Sequence, residues 1–513
     1  MFLKISLLVI FFAVMIGIGV YCRRNSTDVN GFVLGGRSVG PWLTAFAYGT
    51  SYFSAVIFVG YAGQFGWKYG IAATWAGLGN AFIGSLLAWA VLGRRTRIMT
   101  QHLDSATMPD FFGKRFGNRS LKIAASVITF IFLIPYTASL YNGLSRLFGM
   151  AFSIDYSVCV IVMAVLTGIY VVTGGYMATA INDFIQGCVM LVGIVAVILA
   201  VLNSKGGFMA AYTGMAQITD PSVTDVPGMF ASFFGPDPLN LLGVVILTSL
   251  GTWGLPQMVQ KFYAIKSEKA VETGTVISTC FAIIVAGGCY FLGGFGRLFA
   301  TNEEVAANGF DSIVPAMLSG LPDILIALVV ILVLSASMST LSSLVLTSSS
   351  TMTLDLIKET VNKDMDEKKQ VTVMRALIVV FVAISVVIAL IQYKSSVTFI
   401  AQLMGVSWGA LAGAFLAPFL YGLYSKKTTA AACWVSFIFS TVVMLLNIFI
   451  RPSFPKLLQS PINCGAFCMI AGLIIVPVVS LFTKKPDKQL VDDAFASYEK
   501  KVLVAQREAL SDD

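Results

Sequence analysis

The chain alternates long apolar stretches with short polar ones. The apolar stretches run to roughly 20 residues, the length a helix needs to cross a hydrocarbon core. Thirteen such spans are predicted, centred near residues 12, 53, 82, 134, 165, 194, 250, 284, 333, 382, 408, 438 and 472. The second and seventh are poor spans, interrupted by Gly, Pro and hydroxyl residues. Each opens a block of five spans, and because five is odd the two blocks run with opposite topology. Paired broken segments in corresponding positions point to the binding site of a secondary transporter. Unwound backbone survives in a membrane only where it lines a cavity or is buried in protein. The repeat rests on placement, because no residue-level identity between the halves is visible.

Within the ninth span, the uncharged run Ile324 to Leu334 leads into Ser335-Ala336-Ser337-Met338-Ser339-Thr340-Leu341-Ser342-Ser343. Hydroxyls at that depth are out of reach of bulk water and need partners. Residues one helical turn apart, such as Ser339 and Ser343, share a face. The stretch therefore has two readings. Hydroxyl oxygens suit a hard cation such as Na⁺, held reversibly because no full negative charge is involved. Equally, small hydroxyl residues pack membrane helices closely and back-bond to the preceding turn. In the second span, Gly49-Thr50-Ser51-Tyr52-Phe53-Ser54-Ala55 sits at mid-membrane depth, where unwinding frees the carbonyls of Thr50 and Phe53. A small-residue packing face is the rival reading there too.

Composition confirms the class. The 513 residues are 57% hydrophobic and only 12% charged, with a mean hydropathy of +0.84; soluble domains carry roughly 25% charged residues. The net charge of +8 is a topology signal. With the N-terminus outside and the C-terminus cytoplasmic, 26 of the 34 Lys and Arg residues, Lys261 to Lys269 among them, fall on the cytoplasmic side, as the positive-inside rule requires. The basic residues are spread over short juxtamembrane loops, which argues against nucleic-acid binding. Phe2 to Cys22 lacks a basic leader and a small-residue cleavage site, and is expected to be a retained span. The eight cysteines lie mostly in spans, with no zinc spacing. His102 is expected to be a solvated loop residue and Asp110 a helix N-cap. No nucleophile–base pair, phosphate loop or metal cluster is present, so no enzyme is implied.

Several pieces occur together in the order of a known family: Leu34-Gly-Gly-Arg-Ser-Val-Gly-Pro-Trp42, the Gly49 to Ala55 segment, Thr107-Met-Pro-Asp-Phe-Phe-Gly-Lys-Arg-Phe116, Tyr136-Thr-Ala-Ser139, Gly174-Gly-Tyr-Met-Ala178 with Asn182-Asp-Phe-Ile-Gln186, and Ala336 to Ser343. In these the chain resembles the sodium:solute symporter family. The resemblance implies an all-α polytopic membrane protein with a LeuT-like 5+5 inverted repeat at residues 34–420. One extra helix (1–25) would precede it, and two helices (421–483) and a cytoplasmic tail (484–513) would follow. It implies a main sodium site from the carbonyls of Thr50, Phe53 and Ala336 and the hydroxyls of Ser339 and Thr340. It also implies a second site, found in part of the family, from Ser339, Ser342, Ser343 and Asp183. As an alternative, Asp183 caps the start of the sixth span.

A solute pocket is expected at Ser51, Tyr52, Ser54, Tyr136, Trp253 and Gln257, with Gln260 nearby. Trp253 has an interfacial anchor as its rival role. Tyr52 and Val56 stand where the proline branch of the family has an aspartate and a tryptophan. Residues 130–143 lack the arginine of the sialic acid branch. The expected function is sodium-coupled import of a small organic solute such as an amino acid or carboxylate, across a cell membrane. The partners are the solute, one or two Na⁺ and the lipid bilayer. Proton coupling on the same fold, with Asp183 as the working carboxylate, and a membrane sensor or scaffold are the rival functions.

Overall fold

A computed structural model describes residues 2–23, 27–152, 155–395 and 400–498. The described residues are almost wholly helical. The principal helices are α1 (Phe2–Cys22), α2 (Pro41–Tyr52), α3 (56–69), α4 (74–102), α5 (Met108–Phe116), α6 (Arg119–Phe152), α7 (Tyr156–Asn203), α8 (Pro238–Gly254), α9 (Pro256–Ala264), α10 (Glu268–Gly293), α11 (Asp323–Thr351), α12 (Glu367–Ser395), α13 (Ile400–Tyr424), α14 (Ala430–Phe449), α15 (Pro461–Phe482) and the short α16 (Lys488–Ala496). All thirteen predicted centres fall on helix or at a helix break. The fifth and sixth centres share α7, which is bent at Gly175 (φ 57°, ψ −152°). That conformation needs a residue without a Cβ, and the space is closed as well: an added Cβ would stand 2.9 Å from Phe32.

Both expected breaks are real, and they match. After Tyr52 the chain turns extended at Phe53 (φ −83°, ψ 114°), and after Gly254 at Leu255 (φ −84°, ψ 121°). The α8–α9 pair bends by 46°. Proline sets both neighbourhoods. Pro41, Pro238 and Pro256 each begin a helix, where their missing N–H costs nothing. Past the first break, Val56–Tyr61 winds as a π-helix, a form common at functional sites. The same backbone geometry at equivalent points of the two halves is a repeat that side chains alone do not reveal.

Burial orders the bundle. From Leu332 to Thr351 every residue of α11 is buried, so this stretch is the hub and has no lipid face, although the helix begins exposed at Ile324. It packs on α2, α6, α7 and α12, while α13 is enclosed along nearly all of its length. By contrast α1 and α12 are peripheral. Close crossings use glycine: a Cβ on Gly66 would lie 1.8 Å from the carbonyl oxygen of Gly293, so α3 and α10 touch backbone to backbone. α1 is docked on α7 by the Asn182 amide donating to the Met15 carbonyl at 3.4 Å.

Candidate functional site: a sodium cage between the broken helix and the serine helix

The broken end of α2 lies against the serine stretch of α11. Ser339 Oγ is 3.1 Å from the carbonyl of Thr50 and 3.1 Å from that of Ala336. Thr340 Oγ1 is 3.1 Å from the Thr50 carbonyl, 3.4 Å from that of Phe53 and 3.0 Å from that of Ala336. The five oxygens expected to bind sodium are thus brought together, and Ser339 and Thr340 are fully buried. The spacing can be judged against Ca²⁺, a cation of similar radius. It holds oxygens at roughly 2.3–2.6 Å, which puts neighbouring corners of an octahedron roughly 3.3–3.7 Å apart. The cage needs to open by only a few tenths of an ångström. Ser339 also has the Ser335 carbonyl at 2.9 Å, so its proton has a partner while its lone pairs serve an ion. Among the described residues, no group of three His, Cys, Asp or Glu side chains is placed to hold a metal ion, so hydroxyl and carbonyl oxygens are what the cage offers.

One turn further along α11 lies a second polar cluster. Ser51 Oγ is 2.8 Å from Ser343 Oγ, and the Lys261 ammonium donates to Ser343 Oγ at 3.0 Å. Lys261 also lies over the Tyr176 ring, 5.1 Å from its centroid. Asp183 is fully buried, neither of its carboxyl oxygens has a hydrogen-bond partner among the described residues, and the charge acting on it is that of Lys261. Asp183 is not a helix cap. It lies two turns past the bend at Gly175, inside continuous helix where the first-turn N–H groups are out of reach. Ser342 donates to the Ser339 carbonyl at 2.9 Å.

The expected pocket residues divide. Among the described residues, the Tyr52 and Tyr136 hydroxyls and both polar atoms of Gln257 are buried without a hydrogen-bond partner, as polar groups left for a ligand would be. Trp253 differs: its indole N–H donates to the Ile83 carbonyl at 2.9 Å, which anchors the break to α4 and removes its polar handle from any solute. Ser51 belongs to the serine cluster through Ser343 and the Ala47 carbonyl. Ser54 Oγ accepts from the Val56 N–H and starts the π-helix. Gln260 is spent on the Val33 carbonyl and Thr347, so it too is structural.

Two residues escaped the sequence reading. Trp408, buried with an unpartnered N–H, stands edge-on to Tyr136 at 5.9 Å; a tryptophan flanked by Ser407 and Gly409 mid-span was the available signal. Lys261 was counted as a cytoplasmic charge. Its place between Gln260 and Phe262, inside the second half of a broken span, marked it as buried.

Two loop expectations also change. The N-cap of α5 is Thr107, which accepts from the Asp110 N–H, and Asp110 pairs with Lys114 and Lys122 instead. His102 lies 3.5 Å from Asp493 of α16.

Two broken helices on an inverted repeat, with an oxygen cage at one break, define a secondary transporter. Residues 32–439 match the model of the sodium:solute symporter family, and the chain belongs to that family. It is 29% identical over 483 residues to the osmoregulated proline transporter OpuE of Bacillus subtilis, covering 93% of this chain and 94% of the relative. It is 28% identical over 498 residues to a sodium/proline symporter of Staphylococcus aureus, covering 94% and 93%. In fold it is similar to a Na⁺-coupled sialic acid symporter solved in an outward-open state, with a TM-score of 0.73, 16% identity and coverage of 94% and 99%. The nucleobase-cation-symport transporter Mhp1 in a closed conformation matches with a TM-score of 0.51, 13% identity and coverage of 91% and 98%. The protein is therefore a multi-pass membrane transporter, not an enzyme, that couples sodium to a small organic solute.

Proposed function

We propose that Na⁺ binds in the cage formed by Thr50, Phe53, Ala336, Ser339 and Thr340, and that it fastens the broken α2 to α11. The observation that carries this is the pair of α11 hydroxyls standing 3.1 Å from the Thr50 carbonyl. An unwound carbonyl facing only a hydroxyl in low dielectric is under-satisfied; a cation there completes it. Fixing α2 presents Tyr52 beside the broken helix to the solute, so ion and solute binding support each other through one element. Each Na⁺ moving down a 100 mV potential contributes about 2.3 kcal/mol to accumulation.

The solute is a small polar molecule of the amino-acid or carboxylate class, held by the amide of Gln257 and the phenols of Tyr52 and Tyr136, with Trp408 walling the pocket. Proline is the first solute to test, because relatives named for it align with nearly the whole chain. The Lys and Arg distribution puts the N-terminus outside and the tail in the cytoplasm. The test is uptake by proteoliposomes under an inward Na⁺ gradient, a proton gradient alone, or choline, with proline, other amino acids and carboxylates. Uptake that follows the proton gradient and ignores Na⁺ overturns the reading.

A further inference from the structure

The cluster around Asp183 holds something a sodium site does not need. A cation is already there, covalently attached. Lys261 is carried on α9, the second half of the broken α8–α9 pair, and is 2% exposed. Its ammonium has three donors and no acceptor. One donor is on Ser343 Oγ at 3.0 Å, and the Tyr176 face lies 5.1 Å away. Among the described residues, its one hydrogen-bond acceptor is therefore a hydroxyl that a second sodium would ligate. Across the same cluster, both Asp183 oxygens are without a hydrogen-bond partner among the described residues, and the charge acting on them is that of Lys261. A buried carboxylate stays ionised in a membrane core only where a compensating cation acts on it.

We propose that the Lys261 ammonium is the resident second cation of this transporter. It occupies the position beside Ser343 and Asp183 that a second Na⁺ would take, so the protein binds a single Na⁺, in the Thr50–Thr340 cage. This builds on the sodium reading above. Three relationships support it. First, Na⁺ at Ser343 would have to share an oxygen that already accepts from the Lys261 ammonium at 3.0 Å, and two like charges gathered on one oxygen in a dry site repel strongly. Second, Ser343 Oγ is also engaged by Ser51 at 2.8 Å, which leaves it little capacity for another ligand. Third, the Tyr176 ring face stands 5.1 Å from the same ammonium, a second favourable contact for a resident cation. The tether also has a mechanical effect. Lys261 links α9 to α11 while Ser51 links α2 to the same Ser343, so both broken helices meet at one hydroxyl of the serine helix. A mobile second ion would make that junction come and go with each cycle; a lysine makes it permanent.

The experiment is equilibrium binding of radiolabelled sodium to purified full-length protein, with the solute omitted. Wild type is expected to bind one Na⁺ per chain with a Hill coefficient of one. In Lys261→Met, Asp183 loses its counter-charge and Ser343 its donor; that variant is expected to bind two Na⁺ with a Hill coefficient above one. The double variant Asp183→Asn/Lys261→Met buries no net charge and should fold even if the single variant does not. It is expected to return to one Na⁺. Two Na⁺ bound by wild type overturns the Lys261 assignment and leaves sodium coupling standing, as does a single Na⁺ in a folded Lys261→Met. No specific Na⁺ binding to wild type overturns the sodium reading, and this one with it. Binding of two Na⁺ by the double variant also overturns the assignment.

Discussion

The hydroxyl of Thr340 stands 3.1 Å from the carbonyl of Thr50, although 290 residues separate them in the chain. That contact joins the break in the first half of the repeat to the buried hub helix of the second. It is the point where an ion can act on the conformation of the whole bundle. Its importance follows from accounting for hydrogen bonds: the helix ends at Tyr52, so the carbonyl of Thr50 has lost its helical donor and must find another.

Removing either cage hydroxyl takes a ligand from the ion at a depth where no water replaces it. An interaction with a charged group is worth about 1.5–3 kcal/mol, so Ser339→Ala and Thr340→Ala should each raise the Na⁺ half-saturation of uptake roughly ten- to hundred-fold. Solute affinity at saturating Na⁺ should change far less. Uptake assayed across a Na⁺ series checks this, and an unchanged half-saturation in both variants rejects the cage.

The pocket assignments separate Gln257 from Trp253. Gln257 has both polar atoms free for solute, so Gln257→Ala should weaken solute binding by about 1–3 kcal/mol, a five- to hundred-fold change or so, with little loss of thermal stability. Trp253 donates to Ile83 and packs at the break, so Trp253→Ala should lower the melting temperature first. Parallel thermal-shift and uptake measurements decide. Solute affinity lost only in the Trp253 variant would reverse the assignment.

Much of this was legible in the sequence, and the exceptions have physical causes. Apolar runs of bilayer length are unambiguous, so every predicted centre meets helix or, at residue 53, the break between two helices. Breaks at Gly, Pro and hydroxyl residues also register locally, which is why the segments at residues 49–55 and 253–256 stood out. The serine stretch showed that oxygens would share a face, but not what they would face; Thr50 and Phe53 came from the family resemblance and the expected unwinding. Side-chain direction was beyond reach. Trp253 and Gln257 stand one helical turn apart on either side of a 46° bend, and only the bend decides which points to a backbone carbonyl. Lys261 was misplaced for a related reason. Counting charges by loop assumes that every lysine near a span end reaches water, and this one turns inward to Ser343.

Outside the membrane-spanning segments, Asp220 is clamped by Arg297, whose guanidinium donates to it at 2.8 Å and stacks between Trp67 and Phe230. Burial alone would raise the Asp220 carboxyl, but hydrogen bonds from Ser222 and Arg297, with the Arg297 charge, hold it below the usual carboxylate range. A depressed folded-state value means the stabilisation is full above the ordinary carboxylate value and is lost as pH falls through the folded one. The clamp should therefore hold throughout the neutral and mildly acidic range. Asp220→Asn should destabilise the protein at neutral pH and leave it no less stable than wild type once the pH is low enough to protonate Asp220. Melting curves from pH 7 down to strong acid test this, and a pH-independent difference between the two proteins rejects it.

The face predicted to be cytoplasmic is closed by a network centred on Lys122 of α6. Its ammonium pairs with Asp110 of α5 at 2.9 Å, with Glu359 at 2.9 Å and with Asp355 at 3.5 Å, both just beyond α11. Thr107 adds a hydrogen bond to Asp355 at 2.5 Å, and Arg119 sits 3.3 Å from Glu359. Three carboxylates thus share one largely buried ammonium, and Asp355 itself is fully buried. Breaking a buried charge network by removing one partner costs about 3–5 kcal/mol, because the remaining charges repel and stay unsolvated. The cheapest relief is for the helices to part and admit water. Lys122→Ala should therefore bias the transporter towards a conformation open on this side, while Lys122→Arg, which keeps the charge, should largely preserve closure. A reporter cysteine at Leu354, now 8% exposed beside the network, reads this directly. In a background without native cysteines, its labelling from the cytoplasmic side of oriented vesicles should speed up at least ten-fold or so in Lys122→Ala. Added Na⁺, if the cage stabilises the arrangement seen here, should slow it again. Labelling equal to that of the parent, with or without Na⁺, would show that the network holds the fold together without controlling access.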